Sequence, residues 1–193
     1  FIGEKIKEAE ESGKGTYVFG FEESYGYLAG TYARDKDAVV ASMLICEMAA
    51  YYRSIGMSLL DAREAMYKKY GNYVHTVESF TCEGASGMEE MAKIMDDLHA
   101  NTPDSIAGFK VVKVADYLSS VTTDLATKKT EPITLPKSDV ICFTLENGAT
   151  VIIRPSGTEP KIKAYYTTIA ANRADAEALS KKLSADFKAK LGF

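Results

Sequence analysis

The chain has 193 residues, 46% of them hydrophobic, with Lys+Arg 23 against Asp+Glu 27 and a formal net charge of -4. That length can bury a sizeable core, and it fits one domain or a domain joined to a piece of another. The mild negative charge, with no basic face or tail, excludes a general nucleic-acid binder, so any phosphate site must be local.

Residues Ile2 to Ser12 read as a short helix stopped by Gly13 and Gly15, followed by a short strand at Tyr17-Val18-Phe19. The strand feeds a glycine-punctuated loop, Gly20-Phe21-Glu22-Glu23-Ser24-Tyr25-Gly26-Tyr27, with two adjacent carboxylates. Asp35 to Asp37 can cap the next helix, whose run from Ala38 to Cys46 is apolar on nearly every side and is expected at the centre of a core. That run is too short to cross a bilayer, and no membrane association is expected. A second helix starts at Ser58 with Asp61 in capping-box spacing, carries Leu59, Arg63, Met66 and Tyr70 on a helical period, and ends at Gly71-Asn72. A domain boundary is placed there, giving residues 1–71 and 72–193.

Beyond it, Tyr73 to Cys82 is extended, and Ser86 with Glu89 opens a helix whose apolar face is Met91, Ile94, Met95 and Leu98. Phe109 to Val114 is a strand, and Leu118 to Pro136, rich in Thr, Ser and Lys, reads as a long exposed connection. Val140 to Leu145, an Asn147-Gly148 turn and Thr150 to Ile153 predict a β-hairpin. Ile162, Ala164, Tyr166 and Thr168 alternate with Lys161, Lys163, Tyr165 and Thr167 along another strand. The last helix, Arg173 to Lys190, has a stripe of Ala176, Leu179, Leu183 and Phe187, with Glu177 and Lys181 as an i,i+4 pair. These elements predict an α+β domain with helices packed on a largely antiparallel sheet.

The cysteines Cys46, Cys82 and Cys142 each lie in or beside an apolar segment and are expected as buried thiols, which suits a reducing, cytoplasmic setting. His75 and His99 are most simply a strand residue and a helix-end residue, and the scattered His and Cys offer no metal-ligand spacing.

Arg154-Pro155-Ser156-Gly157-Thr158-Glu159-Pro160-Lys161 carries the clearest chemistry. A guanidinium fork, two hydroxyls and a glycine amide suit the oxygens of a phosphoryl group, and prolines stiffen both sides. Glu159 is awkward in an anion site and must point away or tether Arg154 or Lys161. The plainer alternative is a proline-braced turn with Arg154 in a surface salt bridge. Glu22, Glu23 and Ser24, framed by aromatic rings, suit the hydroxyls and apolar faces of a sugar; the plainer alternative is a solvated loop with one glutamate as a cap. Together the loops suggest a sugar phosphate held at two ends. Neither a Walker loop nor a dinucleotide fingerprint is present, and no base stands near Ser24, Ser156 or Thr158 in sequence.

These motifs resemble the α-D-phosphohexomutase family of phosphoglucomutases and phosphomannomutases. The segment Arg154 to Lys161 matches that family's C-terminal phosphate-binding motif residue by residue. Phe19-Gly20-Phe21-Glu22-Glu23-Ser24 is similar to its sugar-recognition loop, often Gly-Glu-x-Ser-Gly-His. Phe21 replaces the leading glycine and Tyr25-Gly26 the closing Gly-His, as in the branch of bacterial phosphoglucomutases and phosphopentomutase-like enzymes.

The resemblance implies that residues 1–71 are the end of an α/β third domain and residues 72–193 a fourth domain with a TATA-binding-protein-like fold. It implies an isomerase of carbohydrate metabolism, acting as an intramolecular phosphotransferase between hexose 1-phosphate and hexose 6-phosphate, glucose foremost. The route runs through glucose 1,6-bisphosphate and a phosphoserine, with Mg²⁺; the serine and metal loops belong to earlier domains. The opening at Phe1 without an initiator Met reads as a piece of a longer chain, so this piece, with its missing N-terminal domains as partners, is expected to bind and not to react alone. Arg154, Ser156, Gly157 and Thr158 are then expected on the phosphate and Glu22 and Ser24 on sugar hydroxyls, with Glu23 and Lys161 as secondary contacts. A non-catalytic sugar-phosphate module, mannose or pentose specificity, and a structural partner-binding domain stay open, as does the oligomeric state.

Overall fold

The computed structural model describes residues 2–22 and 26–193. The chain divides into two compact units, Phe1–Met66 and Tyr67–Phe193.

In the first, helix α1 (Ile2–Ser12) precedes a two-stranded hairpin of β1 (Phe19–Phe21) and β2 (Tyr27–Ala29). Phe19 pairs with Ala29 and Phe21 with Tyr27. The strand therefore lies two residues beyond the expected Tyr17 start. Tyr17 instead donates its hydroxyl to the Leu28 carbonyl at 3.2 Å, and a side chain at Gly20 would collide with that hydroxyl. Phe19–Phe21 and Tyr27–Ala29, expected within or beside a loop, are thus paired strands.

Helix α2 (Ala38–Ser54) starts at Asp37, whose carboxylate accepts from the Val39 and Val40 amides at 2.8 and 3.1 Å. Its apolar run does not sit in a core: no α2 residue is buried, Val39 is 80% exposed, and Cys46 is exposed as well. The unit's sheet of two three-residue strands is too small to cover a seventeen-residue helix. Helix α3 (Leu59–Tyr70) opens on the expected capping box, with Ser58 N donating to Asp61 Oδ2 at 2.8 Å and Asp61 N to Ser58 Oγ at 3.1 Å.

The second unit is built on one antiparallel sheet. In chain order its elements are β3 (Asn72–Thr81), α4 (Gly87–Ala100), β4 (Ser105–Ile106), β5 (Phe109–Asp116), β6 (Val121–Asp124), β7 (Thr130–Pro132), β8 (Ile141–Leu145), β9 (Thr150–Pro155), β10 (Lys161–Ala170) and α5 (Arg173–Leu191). The strand order is β3-β10-β9-β8-β5-β6-β7, with β4 paired to β5 alone. Period-two alternation places Ile162, Ala164, Tyr166 and Thr168 of β10 on the inward face, all at most 1% exposed. They share a core with Met91, Met95 and Leu98 of α4 and with Leu183 and Phe187 of α5. This is the expected α+β architecture.

Several local expectations change. Leu118 to Pro136 is not a plain connection, because Val121-Thr122-Thr123 are β-branched and extend the sheet as β6, which pairs in turn with β7. Asp124 organises the turn between them by accepting from the Thr127 amide and hydroxyl at 2.7 and 2.9 Å. Ser86 precedes α4 but makes no side-chain cap. Glu177 pairs with Arg173 at 2.7 Å and not with Lys181. The Asn147-Gly148 hairpin forms as expected, with Gly148 N donating to Leu145 O at 2.9 Å and Gly148 in the left-handed region at φ 82. His99 is a helix-end residue with more to do: its Nε2 meets Asp139 at 2.9 Å, while Nδ1 lies 2.9 Å from Asp116 but off hydrogen-bond geometry.

Candidate functional site

β9 and β10 hold the Arg154 loop at their shared end. Pro155 pairs with Ile162, and Ser156 N donates to Lys161 O at 2.8 Å, so residues 156–161 close as a short tip. Within it, Lys161 N donates to Glu159 O at 2.7 Å, and Thr158 N reaches Ser156 Oγ at 3.5 Å. The loop is anchored from outside by Cys82 N, which donates to Pro160 O at 2.8 Å. Gly87, the first residue of α4, presses on this anchor: a Cβ there would collide with the Cys82 carbonyl and lie 3.0 Å from the Pro160 Cβ.

The loop's polar groups divide in two. Glu159 is occupied, both its oxygens lying 3.2 Å from Lys161 Nζ. Of the two tethers expected for this carboxylate, the one to Lys161 is the one that forms. Arg154 is exposed and, among the described residues, has no hydrogen-bond or ion-pair partner, so the surface salt bridge of the plainer reading does not form. The Gly157 amide is likewise without a partner among the described residues. A Cβ on Gly157 would meet nothing within 4 Å, and its φ lies outside the positive range. Neither backbone nor packing requires a glycine there.

Register adds a residue that sequence reasoning left out of the site. Lys163 pairs directly across from Arg154, and both are exposed. The alternation along β10 had already turned Lys163 outward, but only the pairing of β10 with β9 sets it beside the guanidinium. Like charges directly opposite on neighbouring strands destabilise a sheet. Two unpaired cations in that position, under a turn with a free amide and two hydroxyls, are suited to an anion lying between them.

In the first unit, the described residues on either side of the hairpin connection are tied together. Glu22 N donates to Gly26 O at 2.8 Å, and the Glu22 carboxylate lies 3.8 Å from Lys36 Nζ, with both side chains 46% exposed. Glu23 and Ser24 lie outside the described residues. Phe19, Phe21 and Tyr27 cluster with ring centroids 6.1 to 6.3 Å apart. Among the described residues, no group of three or more His, Cys, Asp and Glu could hold a metal ion. No single helix there is long and apolar enough to cross a membrane.

An antiparallel sheet with helical cover, bearing an exposed cationic loop at the end of two neighbouring strands, thus defines an α+β unit. Residues 1–70 match the family described as phosphoglucomutase/phosphomannomutase, alpha/beta/alpha domain III, and residues 82–181 match its C-terminal domain. The chain belongs to the phosphoglucomutase/phosphomannomutase family. It is 39% identical over 167 residues to a phosphoglucomutase of Staphylococcus aureus (strain bovine RF122 / ET3-1), covering 86% of this chain and 30% of that protein. A phosphoglucomutase of Staphylococcus epidermidis is 38% identical over 151 residues, covering 78% of this chain and 28% of its own length. The chain therefore spans under a third of these relatives. The crystal structure of pp63/parafusin, a Paramecium phosphoglucomutase in an open form, shares the fold with a TM-score of 0.59 at 14% identity, covering 98% of this chain and 33% of that one.

Proposed function

We propose that this chain supplies the phosphate grip and a sugar-hydroxyl contact of a phosphoglucomutase-like enzyme. The observation that carries the reading is the cross-strand pair of unpartnered cations, Arg154 and Lys163, beside the free Gly157 amide. Arg154 takes two phosphoryl oxygens in its planar fork, while Ser156, Thr158 and the Gly157 amide donate to the others. Glu159 holds Lys161 aside as a secondary contact. Residues 1–71 form the hydroxyl-reading part, where Glu22 accepts from the sugar with Ser24 and Glu23 beside it, and residues 72–193 form the phosphate-binding domain, of TATA-binding-protein-like type.

The whole enzyme, on this reading, interconverts hexose 1-phosphate and hexose 6-phosphate, glucose before mannose or pentose, through a bisphosphate and a phosphoserine. A grip that recognises phosphate and not its position suits an intermediate presented first by one end and then by the other. The Mg²⁺ of that chemistry finds no holder among the described residues, so no step here passes through it. This piece binds without reacting alone. A cytoplasmic setting is supported by the free thiols of Cys46, Cys82 and Cys142.

The test is an amide-resolved NMR titration with glucose 1,6-bisphosphate. Saturable shifts at Gly157 and Thr158 are expected, weakened about tenfold or more in Arg154→Ala, which removes a charge-assisted contact. Shifts at Glu22 would support the hydroxyl role. A wild-type protein silent at millimolar ligand would sink the phosphate reading.

A further inference from the structure

The sheet's two edge strands are finished differently. β7 is three residues long, follows Lys128 and Lys129, carries Glu131 and ends on Pro132. Shortness, charge and proline keep an edge from pairing with another strand. β3 has none of these protections: it is ten residues long, rich in Tyr, Val, Thr and Phe, and contains neither Pro nor Lys. Among the described residues it pairs with β10 alone, so the backbone N–H and C=O groups on its far side face no strand. His75, Thr76 and Val77 are exposed in succession, which breaks the inward-outward alternation and shows the edge open at mid-strand.

Beside this edge runs a groove with residues 74–78 on one side and Ser180 and Lys181 of α5 on the other. Thr76 Oγ1 lies 2.6 Å from Ser180 Oγ, so the position next to Lys181 along α5 is fixed against Thr76. Glu78 and Lys181 both line the groove, and neither has a hydrogen-bond or ion-pair partner among the described residues. One chain thus leaves a carboxylate, a cation and a row of backbone groups unused along a single edge.

We propose that β3 is the joint of a homodimer, pairing antiparallel with β3 of a second copy about a twofold axis at Val77. A twofold axis perpendicular to a strand pairs it antiparallel with itself, and matching inward to inward residues requires the axis to fall on a residue. An axis at Glu78 would set like charges directly opposite, and one at Thr76 would set Glu78 against the buried Val74. At Val77 the axis sets Val77 against itself, Val74 against Phe80 of the partner subunit, and Thr76 against Glu78 of the partner subunit. Thr76 is the residue bound to Ser180, so each Glu78 arrives beside the other copy's Lys181, twice by symmetry. The dimer pairs both orphan charges and closes both long edges in one continuous sheet.

Sedimentation of the 193-residue chain should show a dimer that forms as its concentration rises through roughly the micromolar range. Val77→Lys, which sets two cations on the axis, should leave a monomer that melts as the diluted wild type does. Glu78→Lys should weaken association about tenfold, and Glu78→Lys combined with Lys181→Glu should restore it. With Cys46→Ser to silence the exposed native thiol, Val77→Cys should form an intermolecular disulfide, since opposite Cβ atoms lie ~4.5–5.5 Å apart. A monomer at ~1 mM chain, which would leave the edge to an extended peptide of another protein, overturns the proposal. A dimer indifferent to Val77→Lys, joined elsewhere, overturns it too, as does a charge swap that restores nothing.

Discussion

At the scale of single residues, the Arg154–Lys161 loop separates what the fold needs from what a ligand would need. Gly157 has room for a side chain and ordinary backbone angles. Gly157→Ala should therefore melt with the wild type, while affinity for glucose 1,6-bisphosphate falls about tenfold as the methyl crowds the amide. A drop in melting temperature with binding intact would assign the glycine to the fold instead. The reverse case is Lys128, exposed in the β6–β7 turn with φ 59. The left-handed region costs a side-chain-bearing residue ~1–2 kcal/mol, and glycine's extra chain entropy returns ~0.5–1 kcal/mol of that. Lys128→Gly should stabilise by up to about 1 kcal/mol, readable from the urea midpoint at constant slope.

At the scale of elements, helix ends and strand ends set local stability. Helix α5 is capped at both ends: Asn172 Oδ1 accepts from Asp175 N at 2.9 Å, and Gly192 turns left-handed at φ 85. Asn172→Ala should cost about 1 kcal/mol, measured by denaturant unfolding. At the end of β5, burial opposes ionisation of Asp116, but hydrogen bonds from the Ser119 hydroxyl and the Leu118 and Ser119 amides, then attraction to His99, outweigh it and lower its pKa. Because the folded value lies below the unfolded one of about 3.9, this contribution is complete above that pH and is lost as pH falls through the folded value. Asp116→Asn should thus melt lower at pH 7, with the gap to wild type closing under acid.

Elements with strong local codes were readable in advance. The Ser58–Asp61 box, the Asn147-Gly148 hairpin and the alternation of β10 each rest on contacts within a few residues or on one period. The expected burial of α2 failed because burial depends on what lies opposite, and the small hairpin of its unit offers little cover. Likewise Thr-bearing β6 and β7 become strands through pairing, β6 with β5 and β7 with β6, partners that composition cannot display. Lys163 and Tyr166 belong to the same class. Their directions were legible, but their neighbours come from other strands.

At the scale of the whole molecule, the units differ in how well they are closed. The second unit packs both helices and the sheet into one core, with Phe143 and Phe187 each 0% exposed and their ring centroids 6.4 Å apart. The buried apolar residues of the first are Ile6 and Leu28 among those described. Hydrogen exchange should therefore be far slower in β8, β9, β10 and α5 than in α2 and α3; equal protection in both sets would contradict this contrast. Phe187→Ala should cost about 3–5 kcal/mol and lower that protection throughout the sheet.

The crowding of Gly87 against Cys82 and Pro160 carries a consequence for heredity. A side chain at position 87 must push on the strand end that steadies the Arg154–Lys161 loop. In a saturation-mutagenesis survey scored by glucose 1,6-bisphosphate binding, Gly87 would rank with Arg154 among the intolerant sites, while Gly157→Ala would be lost for a different cause. Lineages of this chain would then keep a glycine at the head of that helix for reasons invisible to anyone cataloguing ligand contacts alone.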